Sequence, residues 1–333
     1  MQQKESIIKK ITSSREAILA IVLIVLSILI QIKSPSFLTP TSIMDMLKNN
    51  AVIMILALGM LNVLLIGGID ISIASTCAFT GMTVGLLLKY GKVTNTFLLF
   101  LIAIGIGLVC GLIIGLIIAK GNVIPIIATM GFMYIYRGLA YVISNNQWAS
   151  AADLGDFKNF ALEKYLGFGI LNNVIMIALV IYIIFFIVMK WTTIGRKVYA
   201  VGSNIEAASV SGINTSRIKL GVYTVMGTLC GLCGALATAV YSSAQPNMMY
   251  GQEMDVIAAC VIGGVSMSGG RGSVVGVFLG ALTMAIINKA LPLVGIDSIA
   301  QNTVQGVIIM VVIIMNVMMQ RSVDKNNLKR REM

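Results

Sequence analysis

The side chains that could do chemistry in this sequence are few, and most of them lie inside or beside long apolar segments. A charged residue at the centre of a membrane helix costs about 2.5–3.5 kcal/mol on insertion scales, so each one is a candidate functional residue. Histidine is absent, and no nucleophile, base or metal-ligand constellation typical of an enzyme is present. The sequence therefore favours binding or transport over catalysis.

Six polar residues are candidates for contact with a solute along a membrane path. Asp70 and Ser72 follow two glycines, and Asp70 could line an inner gate or cap a helix that begins at Ile71. Arg137 lies near the outer third of its segment, from which a long side chain can also reach water. Neutral amides could pair with solute hydroxyls, or with neighbouring helices in bonds worth about 0.6 kcal/mol. These amides are Asn288, Asn302 and Gln305.

A nucleotide-binding motif is missing from this sequence, and a C-x-x-C motif is present in a segment that disfavours its chemistry. A nucleotide-binding chain usually carries G-x-x-x-x-G-K-[ST] before a helix, whereas the nearest string here, Gly91-Lys92, is followed by Val93. Cys230 and Cys233 form a C-x-x-C, but their apolar segment disfavours a thiolate, so we expect small core residues. We therefore expect no cofactor or metal in this chain, and any ATP to be bound by a partner.

The composition identifies the elements that must position these residues. Of the 333 residues, 58% are hydrophobic and 11% are charged, and the mean hydropathy is +0.94; soluble domains are about 25% charged. The apolar stretches are continuous runs and not alternating strands, which favours helices over a membrane barrel. We predict an all-α, polytopic transmembrane bundle of about ten helices, surrounded by membrane lipid.

Ten segments approach the length of about 20 apolar residues that a membrane helix needs. No small-residue cleavage site follows Ile32, so the first segment is expected to be a retained anchor. The eighth is short and runs into a glycine cluster, so it could be a broken or re-entrant helix. The segments are 17–32, 50–66, 71–88, 96–119, 123–143, 170–189, 219–241, 255–266, 273–291 and 299–319.

Basic residues indicate the orientation. With ten crossings and a cytoplasmic N-terminus, most of the 24 Lys and Arg residues face the inside, and by the positive-inside rule both termini are cytoplasmic. Basic tails at 1–16 and 321–333 then flank a transmembrane domain at 17–320. The net charge of +11 follows from this asymmetry, so no nucleic-acid partner is expected.

Two loops are long enough to do more than turn the chain. The outer loop 144–169 mixes polar, aromatic and acidic residues, which suits a cap or a docking surface. The residues in question are Trp148, Asp153, Asp156 and Glu163.

The inner loop 190–218 carries the strongest local pattern. Ser203 followed by Glu206 predicts a capping box, in which each side chain satisfies a free backbone N–H of a short helix. Gly202 would let the chain turn before this cap, and Gly212 suits the left-handed residue after the helix. Because a helix of about two turns is too short to be stable alone, it must pack on its own protein or on a cytoplasmic partner. The capping pattern does not choose between the two.

The string G-x-N-x-x-A-A-x-x-S-G-I in this loop resembles the coupling loop of the ribose-type sugar permeases of ABC importers. In this chain it is formed by Gly202, Asn204, Ala207, Ala208, Ser211, Gly212 and Ile213. Further stretches resemble the same family in the same order, so that the resemblance extends from about residue 35 to 320. They are Gly67 to Ser72, Pro125 to Thr129 with Arg137-Gly138, Ser242 to Pro246, and Ala258 to Gly270.

The resemblance implies an importer with three kinds of part. They are two permease copies, the second identical or a paralogue; an ABC ATPase that binds ATP and Mg²⁺; and an extracytoplasmic solute-binding protein. Residues 204–211 would be the coupling helix seated on the ATPase, with Gly202, Ser203 and Glu206 in or beside that contact. The chain itself would be a multi-pass protein of the cytoplasmic (inner) membrane without an ATPase site, and its solute a monosaccharide such as ribose.

Alternative functions stay open at this point. Ile73-Ala74 and Met248-Met249 depart from the family pattern and leave the solute open to a nucleoside, a branched-chain amino acid or an autoinducer-type sugar derivative. A stand-alone secondary carrier should show a pair or chain of buried carboxylates or histidines for ion coupling, and Asp70 is the candidate we identify.

Small residues recur at four-residue spacing on three segments. Such spacing places them on one face of a helix and lets two backbones approach closely, so we predict packing faces. The residues are Gly107, Gly111 and Gly115; Gly227 and Gly231; and Gly272, Gly276 and Gly280.

Overall fold

The computed structural model describes residues 15–163 and 171–297 and nine positions between 300 and 314. Within these residues all named elements are helices, and the only isolated backbone bridge joins Ala149 to Ala244. The predicted all-α bundle is confirmed. The basic C-terminal tail and most of the predicted tenth segment lie outside the described residues, although its described positions are helical.

Eleven α-helices and one 3₁₀ helix are given in chain order with their bounds. They are α1 Arg15–Lys33, α2 Pro40–Leu65, α3 Ile73–Lys89, α4 Thr96–Gly121, α5 Pro125–Ser144, the 3₁₀ helix Gly155–Ala161, α6 Asn173–Trp191, α7 Thr193–Ser203, α8 Ile205–Val210, α9 Thr215–Val240, α10 Gln252–Ile262 and α11 Val274–Leu293.

Seven helices of the described chain are long and apolar enough to cross a membrane: α1, α2, α4, α5, α6, α9 and α11. Two predicted segments form shorter helices. α3 has 17 residues and α10 has 11. At 1.5 Å per residue α10 is about 16 Å long, about half of the hydrocarbon thickness, so the helix of the eighth segment stops partway and an irregular glycine-rich stretch continues from it.

The helix ends follow from side-chain caps. Asn95 and Asn172 accept hydrogen bonds from the backbone N–H groups of Leu98 (3.1 Å) and Ile175 (3.2 Å), which satisfies free donors at the starts of α4 and α6. α4 ends at Asn122 with φ 51°, because asparagine tolerates the left-handed conformation that closes a helix.

The core of the bundle is α2. Every residue from Ala51 to Leu65 is buried, as expected for a helix that is apolar on all sides. α2 packs against α6, α9, α10 and α11. α1 lies at the periphery, with most of its large side chains exposed, including Ile24 and Leu29, which suits a lipid-facing helix.

The predicted glycine faces are confirmed as packing faces. A Cβ atom on Gly107 would collide with the backbones of Gly227 and Gly231, and one on Gly111 would collide with Gly227. α4 and α9 are therefore in direct backbone contact. On α11, a Cβ atom on Gly280 would meet the backbone of α10 in the same way.

The cysteines are core residues, as their apolar segments predict. All five are buried and free, and the Sγ of Cys233 lies 3.7 Å from the carbonyl oxygen of Val52. Their burial against the backbone of α2 and other helices fits small core residues.

Candidate functional site

The inner loop forms two short helices, and its cap differs from the predicted one. Ser203 is the last residue of α7, and its hydroxyl donates back to the carbonyl of Tyr199 (2.8 Å). Asn204 has extended backbone angles and accepts from the N–H of Ala207 (2.9 Å), so Asn204 caps α8. The predicted capping box of Ser203 and Glu206 is wrong, because a serine still in helical conformation bonds to the preceding turn.

The surface of α8 is largely uncovered in a single chain. Ala208 is its one buried residue, whereas Val210 is 91% exposed and Ile205 is 42% exposed. Glu206, Ala207 and Ser211 are exposed as well. Gly212 follows with φ +80°, which confirms the predicted left-handed residue after the helix.

The end of α7 is anchored by backbone contact to two other loops. A Cβ atom on Gly202 would collide with the carbonyl oxygen of Leu65, and it would lie 2.7 Å from the nitrogen of Gly270. The hydroxyl of Tyr199 donates to the carbonyl of Gly272 (2.8 Å). Gly202 was expected to permit a turn. It lies inside α7 instead, and its small size is what the packing requires.

The loop between α2 and α3 holds Asp70 and Ser72. Asp70 is 3% exposed, and its Oδ1 accepts from the backbone N–H (2.9 Å) and the hydroxyl (2.6 Å) of Ser72. The helix begins at Ile73 after Ser72, so the idea that Asp70 caps a helix starting at Ile71 is wrong. The carboxylate orders the loop that precedes α3.

Two further polar groups contact this loop. The hydroxyl of Thr129 donates to the carbonyl of Ile69 (3.3 Å). The hydroxyl of Tyr223 lies against Gly68 and is buried without a hydrogen-bond partner among the described residues. No local pattern in the sequence indicates Tyr223, because a tyrosine in an apolar helix carries no local signal of its position.

Arg137 connects α5 to the outer loop between α9 and α10. Its Nη1 donates to the carbonyls of Pro246 (2.7 Å) and Met248 (2.9 Å), and its guanidinium lies 5.9 Å from the centre of the Tyr250 ring. Asp70 and Arg137 thus contact different loops, and no described hydrogen bond or ion pair joins them. Contact of Arg137 with a solute stays a prediction.

The remaining candidates are placed only in part. Asn288 lies on α11 and is half-buried. Asn302 and Gln305 lie outside the described residues. The start of α10 adds polar residues that the sequence analysis did not select: Gln252, Glu253 and Asp255.

The outer loop packs on the same region as Arg137. Ala149 and Ala244 exchange backbone hydrogen bonds of 3.0 and 2.9 Å. Nearby, the backbone N–H of Ser150 and then its hydroxyl donate to Asp153, and these bonds hold the pKa of the Asp153 carboxyl below its usual range. The described part of loop 144–169 is therefore an ordered cap over α3 and α9.

Charged groups are sparse elsewhere in the bundle. Within the described ranges one ion pair is found, Lys48 to Asp45 at 3.5 Å, and no group of three potential metal ligands occurs there. Arg196, Lys197 and Arg217 are exposed around α8. The inner loop thus presents a short helix with exposed Ile205 and Val210 and basic neighbours.

Comparisons with known proteins cover nearly the whole chain. A family model described as "Branched-chain amino acid transport system / permease component" matches residues 42–315. The chain is 35% identical over 295 residues to the ribose import permease protein of Bacillus subtilis (strain 168), which covers 88% of this chain and 90% of the relative. No solved structure matches.

Two further relatives show similar coverage. The ribose import permease protein of Escherichia coli (strain K12) is 35% identical over 299 residues, with 89% of this chain and 92% of the relative covered. The galactose/methyl galactoside import permease protein of the same strain is 33% identical over 314 residues, with coverages of 90% and 93%.

Proposed function

Since the chain belongs to the family of transport-system permease components, a multi-pass inner-membrane family, we propose that it forms the membrane path of an ABC importer for a monosaccharide, with ribose as the leading candidate. The relatives that match it over most of its length are named for ribose, arabinose and galactose. Their names support a sugar over the branched-chain amino acid of the family description.

One observation carries the mechanism: α8 is largely exposed, and α7, which leads directly into it, is held by the backbone contact of Gly202. A short helix that leaves Ile205 and Val210 in contact with water gains free energy when a partner covers them, at about 25 cal/mol per Å². The partner that fits the family is the ATPase subunit, which would bind ATP and Mg²⁺. Residues 204–211 would then be buried against the surface of the ATPase subunit.

The force would pass from α8 through Gly202. This residue touches Leu65, at the end of α2, and Gly270, in the loop before α11. Leu65 ends a membrane-spanning helix and Gly270 belongs to the glycine-rich stretch after α10, and alternating access needs parts of the bundle to move against one another. Closure of the ATPase around its nucleotide would displace α8 and, through α7, shift both of these contacts.

Other partners follow from the same assignment. A solute-binding protein would dock on the outer cap, where Trp148 is 62% exposed. A second permease copy, identical or a paralogue, would complete the transmembrane unit. Neither role requires an ATPase site or a cofactor in this chain.

One observation favours a second candidate function. Glu253 and Asp255 lie two residues apart in the first turn of α10, and a pair of carboxylates at membrane depth is what an ion-coupled carrier would use. Within the ABC class, a nucleoside or an autoinducer-type sugar derivative is the alternative solute.

Uptake into proteoliposomes separates these functions. The chain alone should accumulate no ribose, whereas the chain with its ATPase and binding protein should accumulate it when ATP is supplied inside the vesicles. ATP-independent accumulation by the chain alone, driven by a proton or sodium gradient, would overturn the ABC assignment.

A further inference from the structure

We propose that Gln252 and Glu253, at the start of α10, form a solute-contact site on the outer side of the path, and that Arg137 positions it. The site takes neutral polyhydroxy solutes, whose hydroxyls donate to the two side-chain oxygens. The inference rests on the proposed function, since it concerns the path of the same sugar.

The first observation is a pair of unpaired acceptors. The Oε1 of Gln252 and the Oε2 of Glu253 are buried and have no hydrogen-bond partner in the described part of the chain. A buried acceptor left without a donor costs about 1–3 kcal/mol, and more when it is charged. Two such atoms on consecutive residues leave two acceptors open to donors from outside this chain.

The orientation of one acceptor is set by a neighbour. The Nε2 of Gln252 donates to the hydroxyl of Tyr241 across 3.3 Å. With its amide nitrogen held there, the amide oxygen of Gln252 turns to the other side and stays available as an acceptor.

The second observation is the depth of the site. Arg137 lies seven residues before Ser144, the last residue of α5, which is about 10 Å along the helix axis. Its bonds to the carbonyls of Pro246 and Met248 hold the outer loop at that level. The chain then turns sharply, with Met249 at φ 60° and Gly251 at φ 85°, and α10 begins at Gln252, four residues after the Met248 carbonyl that Arg137 holds.

The charges at this level select the class of solute. Glu253 and Asp255 both lie in the first turn of α10, and two carboxylates against one guanidinium disfavour an anionic solute. The Nη1 of Arg137 is occupied by two loop carbonyls, which favours a positioning role over capture of a solute carboxylate. Hydroxyl donors suit the acceptors that remain, as in a pentose or hexose.

The experiment uses the complete importer, with its ATPase and binding protein, in proteoliposomes. Uptake of ribose is compared with uptake of 2-deoxyribose, 3-deoxyribose and 5-deoxyribose, because a site that hydrogen-bonds a hydroxyl discriminates against the analogue that lacks it. The test variants are Glu253→Gln and Gln252→Leu. The control, Asp297→Asn, removes one carboxylate charge from an exposed position after α11, outside the outer loop 144–169.

Each test variant should lower ribose accumulated per ATP hydrolysed by about tenfold, the effect of losing one hydrogen bond to a charged or buried group. At least one ribose-to-deoxyribose ratio should fall, and a general folding defect would not change that ratio. Arg137→Gln should change the same ratio, and Arg137→Lys should restore part of it. The control should match the wild type.

Two results would overturn the inference, and they differ. Unchanged ratios for all three analogues in both test variants would eliminate the contact site while the importer function stands. Absence of sugar uptake by the wild-type importer would eliminate the proposed function and the contact site with it.

Discussion

The backbone N–H of Gly270 donates a hydrogen bond to the carbonyl of Leu65 across 2.9 Å. This bond joins the loop before α11 to the last residue of α2, and Gly202 at the end of α7 packs against both partners. Three segments distant in sequence thus meet backbone to backbone. Because no flexible side chain lies between them, we expect a displacement of α7 and α8 to reach both other segments.

Gly202→Val should abolish coupling. Its side chain would collide with the carbonyl of Leu65, and overpacking of this kind costs about 1–3 kcal/mol. We expect ATP-driven uptake to fall by about 5- to 150-fold, since that range of free energy corresponds to this change in an equilibrium. Gly221→Ala is the control, because a Cβ atom there meets nothing within 4 Å; uptake by Gly202→Val equal to that of this control would contradict the transmission role.

Asn204→Ala should weaken the association with the ATPase. It removes the cap of α8, which is worth about 1 kcal/mol, so pull-down of the ATPase from detergent should fall several-fold. Ser203→Ala should have little effect, since that hydroxyl bonds back to Tyr199. The opposite ranking of the two variants would show that Ser203, and not Asn204, caps the helix.

Val210→Asp should disrupt the contact between α8 and the ATPase without affecting the fold. Val210 is almost fully exposed in the single chain, so the substitution costs little there, but it would bury an unpaired carboxylate in the complex. Co-purification of the ATPase should be lost, with a normal yield of the permease. Ser216→Asp, exposed on the same side but outside α8, should co-purify normally. Retention of the ATPase by Val210→Asp would place its contact elsewhere.

Asp70→Asn should keep most of the uptake, and Asp70→Ala should lose it. The Asn oxygen can still accept the two bonds from Ser72, whereas Ala leaves a buried N–H unpaired at a cost of about 1–3 kcal/mol. Thermal stability in detergent and uptake would be measured together. A stable Asp70→Asn protein without transport would assign the charge itself to the solute path.

Gly111→Val should unfold or destabilise the bundle. The side chain would enter the backbone of α9 at Gly227, at a contact where neither helix can withdraw without exposing its core. Gly105→Val on the same helix is the control, because its Cβ atom meets nothing within 4 Å. Equal melting temperatures for the two variants would show that α4 and α9 do not pack closely.

Local patterns in the sequence were sufficient to predict the helices and the faces through which several of them pack. Apolar runs of membrane length predicted the spans, and glycines four residues apart predicted packing faces, although not that the faces of α4 and α9 meet each other. The number of crossings and the cytoplasmic termini stay predictions from the distribution of basic residues. The left-handed Gly212 was predicted from a local rule, and it was confirmed because φ depends on the residue itself.

Long-range contacts could not be predicted in this way. Ser203 and Asn204 are both residue types that cap helices. Asn204 caps α8 because α7 continues through Ser203. The sequence predicted a turn at Gly202, because the contacts that require a glycine there cannot be recognised locally. These contacts, Leu65 and Gly270, lie 137 residues before it and 68 residues after it.

The sequence by itself determined that this is a helical membrane protein with a short capped helix in an inner loop, because hydropathy, charge asymmetry and capping are properties of neighbouring residues. Only the tertiary structure decided that α7, which leads into this helix, meets the end of α2 and the loop before α11, and that Gln252 and Glu253 have buried oxygens without donors among the described residues. Both depend on which backbones meet in space, and no local spacing encodes that.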